Sequence, residues 1–459
     1  MAGWVKLQEL LKAEVQQRRD EGCMVDGFPA RIQEAGDNQV KLMAIYTEMC
    51  ALEPQAPNVD EPNELEAIKQ LRPVGPRILK DNLNADQWLD KFHGAWLGRS
   101  IGCALGKPLE YPCFMGGSDG RPGWENVYLW FKGANAWPIT DYTPGASTAE
   151  QDYGIKLAPY GMESVLERIS YMQTDDDIRY TVLGLMMLER KGKQWGSWDI
   201  GKLWHEVLTY KQVCTAETQS YLNFAQVTDH YEVNGQPADW AQKQDWIRTY
   251  LNPYREYIGA QIRADGFAYG AAGQPELAAD FAWRDASFSH VRNGIYGEMF
   301  VAAMIAAAFV ESDPLRIVEI GLSEIPRNCR LAHDVQQAVK IAQSTNDQLV
   351  LVEQIWEAFK HYDPVHTNNN AALVAASLVF AKGDFNVAVT TSVLGGWDTD
   401  CNGATVGSIM GAALGARQLP NHWVKPLNDT LYAEVTGFHP IAISECARRS
   451  YDVFRKLKG

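Results

Sequence analysis

Apolar residues recur every three to four positions along most of this chain, the period of a helix with one buried face. Near the start they fall at Trp4, Leu7, Leu11 and Val15, and a second helical pattern runs from about Gln39 to Leu52. The stretches EPQAPNVDEPNE and RPVGPR then interrupt any helix, because proline removes a backbone donor and glycine loosens the chain. Residues 1–84 therefore read as a helical extension and residues 85–459 as the main domain, which opens on the helical run DQWLDKFHGAWLGRSIGCALGKPLE. Residues 111–160, rich in Gly, Pro, Trp and Tyr, predict a long loop or an irregular segment with short strands, and an insertion of that length is commonly functional. Helical patterns follow near 161–172, 176–191, 197–210, 215–225, 238–263, 273–283, 291–310, 314–322, 328–343, 347–361, 369–381, 384–393, 401–416, 425–435 and 440–457. Strand-like alternation is nearly absent and no fixed period repeats, so the expected class is all-α and not a solenoid.

Composition narrows the setting. The chain has 459 residues, 46% of them hydrophobic, enough for a substantial core. Its longest apolar run, MFVAAMIAAAFV from Met299 to Val310, is shorter than the roughly 20 residues a bilayer span needs, so it predicts a buried helix and no membrane partner. No continuous apolar stretch of signal-peptide type opens the sequence, and Glu9 and Glu14 oppose a mitochondrial presequence, which makes the cytoplasm the expected location. Eight cysteines with no CxxC pair fit a reduced compartment rather than a disulfide framework or a zinc site. A formal net charge of −15 argues against nucleic acid and suits cations.

The acidic residues are not evenly spread. Thr174, Asp175, Asp176 and Asp177 stand directly ahead of an apolar helix, and Asp398 and Asp400 stand ahead of another, after Gly395 and Gly396. Each group alone could be an N-cap. Two such starts, each with an adjacent hydroxyl (Thr174, Thr399), also suit an oxygen-lined site for a hard cation such as Mg²⁺, Mn²⁺ or Ca²⁺. Two glycine ladders accompany them: Gly94, Gly98, Gly102 and Gly106, and Gly403, Gly407, Gly411 and Gly415. Each gives its helix a smooth ridge where another backbone can approach, which would bring the acidic ends together. Glu110 follows the first ladder. His366 precedes the run TNNNAALVAASLVFA and could simply cap that helix, while Arg292, Asn293 and Gly294 ahead of a helix could hold an anion or a ribose hydroxyl.

In order along residues 88–457, the segments GAWLGRSIGCALGKPLE, TDDD, NGIYGEMFVAAMIAAAF, HTNNNAALVAASL and GGWDTDCNGATVGSIMGAALGA resemble the ADP-ribosylglycohydrolase family, also called the dinitrogenase-reductase-activating glycohydrolase family. The resemblance implies an all-α orthogonal helical bundle around two divalent cations, Mg²⁺ foremost, that hydrolyses the bond at the anomeric carbon of ADP-ribose. It implies Thr174, Asp175, Asp176, Asp398 and Asp400 as metal ligands, with Glu110, Asp176 and Asp398 as the catalytic set and Glu110 acting on the water. It implies Arg292, Asn293, Gly294, Tyr296, His366 and Gly396 as substrate contacts. Three positions depart from the family pattern: Cys103 where many members have Asp, Cys401 where they have Thr or Ser, and Asp177 where they often have Thr or Ser. A thiol is a poor ligand for a hard cation, so the second metal site is expected to be weak.

The expected substrate is an ADP-ribosylated protein or small molecule. An alternative keeps fold and metals but takes a modified nucleoside or other ribosyl compound, with residues 111–160 reshaping the pocket. A non-enzymatic ligand-binding or structural descendant is a third reading. An (α/α)-barrel carbohydrase, suggested by 15 Trp and 19 Tyr, is a fourth. The leaving group, the oligomeric state and the role of residues 1–84 are left open by the sequence.

Overall fold

The computed structural model describes residues 4–55, 60–228 and 235–458. Residues 56–59, within the expected helix-breaking stretch, lie outside that set. Helices carry the fold, and the strands among the described residues are one short antiparallel pair, Thr430–Leu431 with Ile441–Ala442.

The extension folds as α1 (Leu7–Asp20), α2 (Phe28–Ala35) and α3 (Gln39–Cys50) around a small core that includes Leu10, Leu11, Ile32, Leu42 and Met49 and is closed by Leu251 of the main domain. Beyond it the chain runs along the main domain, where Ile68 joins the large core and Arg72 and Arg77 bind Glu324 at 2.6 and 2.7 Å.

The main domain starts with α4 (Ala85–Gly106), set by an Asn84–Gln87 capping box. It continues through α5 (Asp176–Lys191), α6 (Arg292–Ala308), α7 (Arg330–Ser344), α8 (Thr367–Ala381), α9 (Thr399–Leu414) and α10 (Ile443–Lys458) among shorter helices. The glycine ladders face each other. A Cβ added at Gly94, Gly98, Gly102 or Gly106 would collide with backbone at Gly411, Gly407, Gly403 or Thr399 respectively, so α4 and α9 lie antiparallel with main chain against main chain. Glycine costs about 1 kcal/mol relative to alanine in a helix interior, and this close approach is the packing that offsets it. The antiparallel arrangement sets the C-terminal end of α4 beside the N-terminal end of α9. At the other end of α9, Lys91 Nζ donates to the carbonyls of Ala412 and Ala413 at 3.1 and 2.7 Å, where a cation complements the helix dipole.

Four expected elements come out differently. Residues 161–172 carry helical spacing but form turns, because Met172 bonds the backbone of Thr430 and Tyr432 at 2.8 and 3.1 Å and Leu166 bonds Thr143 at 2.9 Å. The pattern over 238–263 yields a helix only at Trp240–Thr249; Pro253 follows, and Leu251 adopts φ +53°. The pattern at 425–435 gives one 3-10 turn and a strand. The insertion, expected to hold short strands, holds short helices at Pro112–Met115, Gly123–Gly133 and Ala149–Tyr153.

Candidate functional site

At the junction of α4, α5 and α9 the two acidic helix starts meet. Ligand-capable atoms of Glu110, Asp398 and Asp400 lie within 4.8 Å of one another, as do those of Cys103, Asp175 and Asp400, of Asp177, Asp400 and Cys401, and of Asp175, Asp176 and Asp177. Thr399 Oγ1 donates to Gly106 O at 2.9 Å and locks the two helix ends together.

The turn into α9 is built for this. Gly396 has φ +73°, and a Cβ there would lie 2.8 Å from Phe114 O and 3.0 Å from Trp124 N, so the insertion packs directly on it. Trp397 takes φ +57°, a left-handed conformation rare for a bulky residue, and is held by stacking on Trp356 at 5.2 Å and 15°. Asp398 then occupies the N-cap position yet makes no capping bond, whereas Asp313, Asp347 and Asp384 cap their helices in the ordinary way. Its backbone N–H and the Asn402 amide both donate to Asn370 Oδ1, at 3.3 and 2.7 Å. Asp398 Oδ1 and Asp400 Oδ1 are buried and, among the described residues, accept no hydrogen bond. Buried carboxylate oxygens without partners are costly, and a cation is the group they fit.

The first acidic start is arranged otherwise. Asp175 caps α5, its Oδ1 accepting from Asp177 N at 3.0 Å, and its Oδ2 contacts the buried Lys107 ammonium. Thr174 Oγ1 accepts from Arg179 at 3.2 Å. Asp177 Oδ1 accepts from Arg99 at 2.9 Å, and Arg99, fully buried, also pairs with Asp265 at 2.7 Å. Asp176 remains partly exposed. Electrostatics follow these contacts. Burial, reinforced by neighbouring carboxylates, raises Glu110 and Asp400 well above the usual carboxylate range, and burial raises Asp398. Asp176 is pushed up to about 7 by burial and by Asp175. Burial opposes the charge on Asp175 too, but Lys107 holds that group below the usual range.

The expected substrate contacts have protein partners of their own. The Arg292 backbone N–H donates to Asn63 Oδ1 at 2.8 Å. Tyr296 is buried with its hydroxyl on Pro62 O, and Asn293 Oδ1 accepts from Leu331 N at 3.0 Å. A Cβ at Gly294 would meet Arg255 O at 2.7 Å. His366 caps α8, stacks on Tyr362 at 4.6 Å, and burial together with Arg330 pushes it down to about 3. The chain segment leading out of the extension thus takes up the Arg292 backbone N–H and the Tyr296 hydroxyl through Asn63 and Pro62. Gly396 adjoins the acidic junction through the turn that delivers Asp398, and His366 O accepts at 2.8 Å from the Asn370 amide, whose Oδ1 receives Asp398 N–H.

Sequence reading passed over several residues that shape the centre. Arg99 was visible only as a charge interrupting a glycine ladder, and Lys107 only as part of GKPLE. Asn370 stood in the NNN run without an evident task. Tyr160, at the end of the insertion, donates its hydroxyl to Glu110 O at 2.5 Å and lies over Lys107 with the ammonium 5.6 Å from the ring centre. The insertion therefore leaves the site at Glu110 and returns to it at Tyr160.

The family profile described as ADP-ribosylglycohydrolase matches residues 84–455. The chain belongs to the ADP-ribosylglycohydrolase family. Membership supports a glycosidase-type hydrolase on an all-α fold. Among solved structures, the ADP-ribosylglycohydrolase-related protein complex aligns with a TM-score of 0.48 at 17% identity, over 81% of this chain and 99% of that one. No curated protein matches. Among the described residues, no helix of this ADP-ribosylglycohydrolase family member is long and apolar enough to cross a membrane.

Proposed function

We propose that the protein is a divalent-cation-dependent hydrolase that cleaves the C1 glycosidic bond of an ADP-ribosylated protein or small molecule. The observation that carries this reading is the meeting of Glu110 with Asp398 and Asp400, whose buried Oδ1 atoms have no hydrogen-bond partner among the described residues. Glu110, Asp398 and Asp400 would hold the cation, with Asp176 facing the same space; Mg²⁺ is the first candidate, Mn²⁺ or Ca²⁺ the alternatives. A bound divalent ion would supply Lewis acidity and orient ribose hydroxyls and water.

The rest of the chemistry falls to the chain. Cleavage at C1 passes through an oxocarbenium-like state, so a carboxylate that takes the proton from the attacking water while the leaving atom gains one lowers the barrier. Glu110 is the base, held by the short turn after α4 and by the Tyr160 contact to its carbonyl. Asp176, titrating near neutrality, is the second proton-carrying group. The stacked Trp356–Trp397 pair and the insertion exclude water from behind the Asp398 turn.

The bonding of the Arg292 backbone N–H and the Tyr296 hydroxyl to Asn63 and Pro62 favours a second reading, hydrolysis of a modified nucleoside or other ribosyl compound lacking the ADP half. One experiment tests both. The purified chain with Mg²⁺ is incubated with a panel of ADP-ribosyl and ribosyl substrates and the products are weighed by mass spectrometry. Release of ADP-ribose, abolished by chelator, is expected; release of ribose alone selects the second reading, and no turnover of any member overturns both.

A further inference from the structure

The two acidic helix starts look alike in sequence, but the basic side chains around them divide unequally. At the first start, Thr174, Asp175 and Asp177 are each approached by a cation of the protein or used by the backbone, and of their side-chain oxygens Asp177 Oδ2, on the carboxylate that Arg99 holds, makes no hydrogen bond among the described residues. Arg179 reaches Thr174, Arg99 reaches Asp177, and Lys107 reaches Asp175 Oδ2 while Asp175 Oδ1 caps the helix. The remaining member of the Cys103, Asp175 and Asp400 group is a thiol, which a hard cation binds poorly. At the second start, no lysine or arginine bonds Asp398 or Asp400 among the described residues, and the Oδ1 atom of each is buried without a partner.

We propose that the Lys107 ammonium stands in one of two cation positions, so that the centre takes a single divalent ion, at Glu110, Asp398 and Asp400. Lys107 is suited to this. It sits in the turn that connects α4 to Glu110, is 6% exposed, and is pinned from above by the Tyr160 ring. Its three donors form a compact point charge on a flexible stem, able to reach the space between Asp175 and Asp400 that an ion would otherwise fill. A divalent ion placed against Asp175 would have to displace it against like-charge repulsion.

The inference rests on the divalent-cation reading above, and its test separates the two. The full chain is loaded with Mn²⁺, freed of excess ion, and examined by elemental analysis and electron paramagnetic resonance. One Mn²⁺ per chain with an uncoupled six-line spectrum is expected for the wild type and for Lys107→Arg. Lys107→Met is expected to take two ions per chain and give a spin-coupled spectrum, as ions sharing a carboxylate about 3.5–4 Å apart do. Two coupled ions in the wild type, or a single ion in a folded Lys107→Met, overturn the single-ion inference and leave the hydrolase reading intact. No tight Mn²⁺ in any of the three proteins overturns the metal reading itself. Should Lys107→Met fail to fold, the wild-type and Lys107→Arg counts still decide.

Discussion

Two regions of this protein bury several carboxylates each, and they handle the charge in opposite ways. Where the extension docks, each acid has a guanidinium. Arg255 binds Glu14 and Glu21 at 2.8 Å, and Arg330 binds Glu61 at 2.9 Å and Glu256 at 2.8 Å. Burial there opposes charge, yet Arg255 holds Glu21, and Arg330 holds Glu61, at about 2. At the start of α9 the acids are as deeply buried but have no lysine or arginine bonded to them among the described residues, and burial raises them. An acid buried with its counter-ion is part of the scaffold; acids buried together without one are where a cation from outside the chain would fit. Counting acids along the sequence would not separate the two regions.

The contrast breaks most visibly if Asp400 is removed. Asp400→Ala is expected to abolish Mn²⁺ retention and turnover together while leaving the cation-free protein as stable as the wild type or more so, because a buried, unpaired acid has gone. Calorimetric cation titration with thermal melts in chelator would show it, and a variant that still binds and turns over would place the cation elsewhere.

Glu110→Gln keeps an oxygen that can still face the cation but cannot take a proton, so with cation retention measured alongside it separates the base from the ligand. A general base contributes about 10²–10⁴-fold, so kcat should fall by at least ~10²-fold in single-turnover assays with product binding preserved. Turnover near the wild-type rate would remove Glu110 from the mechanism.

At the extension the same kind of deletion should act on stability instead. Arg255→Met leaves the buried Glu14 and Glu21 with Arg18 as their main remaining cation and is expected to cost up to about 3–5 kcal/mol in denaturant unfolding, with turnover per folded chain retained. A neutral effect would mean that these pairs carry little of the docking.

The ladder links the regions to the fold. Gly102→Ala places a methyl against the backbone of Gly403 and is expected to cost about 1–3 kcal/mol, with weakened cation binding as the ends of α4 and α9 move apart. Equal loss of stability without any change in cation affinity would uncouple ladder from site.

The smallest effect is also the most diagnostic, because its sign differs between the regions. Glu21 and Glu61 are depressed, so the stability they contribute is present above their ordinary value near 4.5 and is lost as pH falls through about 2. Asp176 is raised, so in cation-free protein its contribution is full below about pH 4 and is lost as pH rises through about 7. Melting temperature in chelator should therefore decline by a few degrees between pH 5 and pH 8, and saturating Mg²⁺ should flatten that decline. A pH-independent melt in chelator would argue that Asp176, at the start of α5, is neutralised within the protein.

Much of this architecture is legible in local pattern. Helical periodicity located most helices, the four-residue glycine spacing anticipated the contact of α4 with α9, and the acids at both helix starts pointed to their junction with Glu110. Those features are encoded by residues a turn or two apart, and a helix expresses them whatever surrounds it. Which acids remain open to a cation was decided by tertiary structure. Arg99 lies 78 positions before Asp177 and Lys107 lies 68 before Asp175, and no periodicity relates residues at such separations. The bonding of the Arg292 backbone N–H and the Tyr296 hydroxyl to Asn63 and Pro62, some 230 positions away, and the pairing of Met172 with Thr430, which overrides a helical pattern, have the same origin. Local sequence sets the conformation a segment prefers, but the partner of a buried charge or an unpaired backbone group is whatever the packed chain brings within hydrogen-bonding distance, and that exists only once the chain has folded.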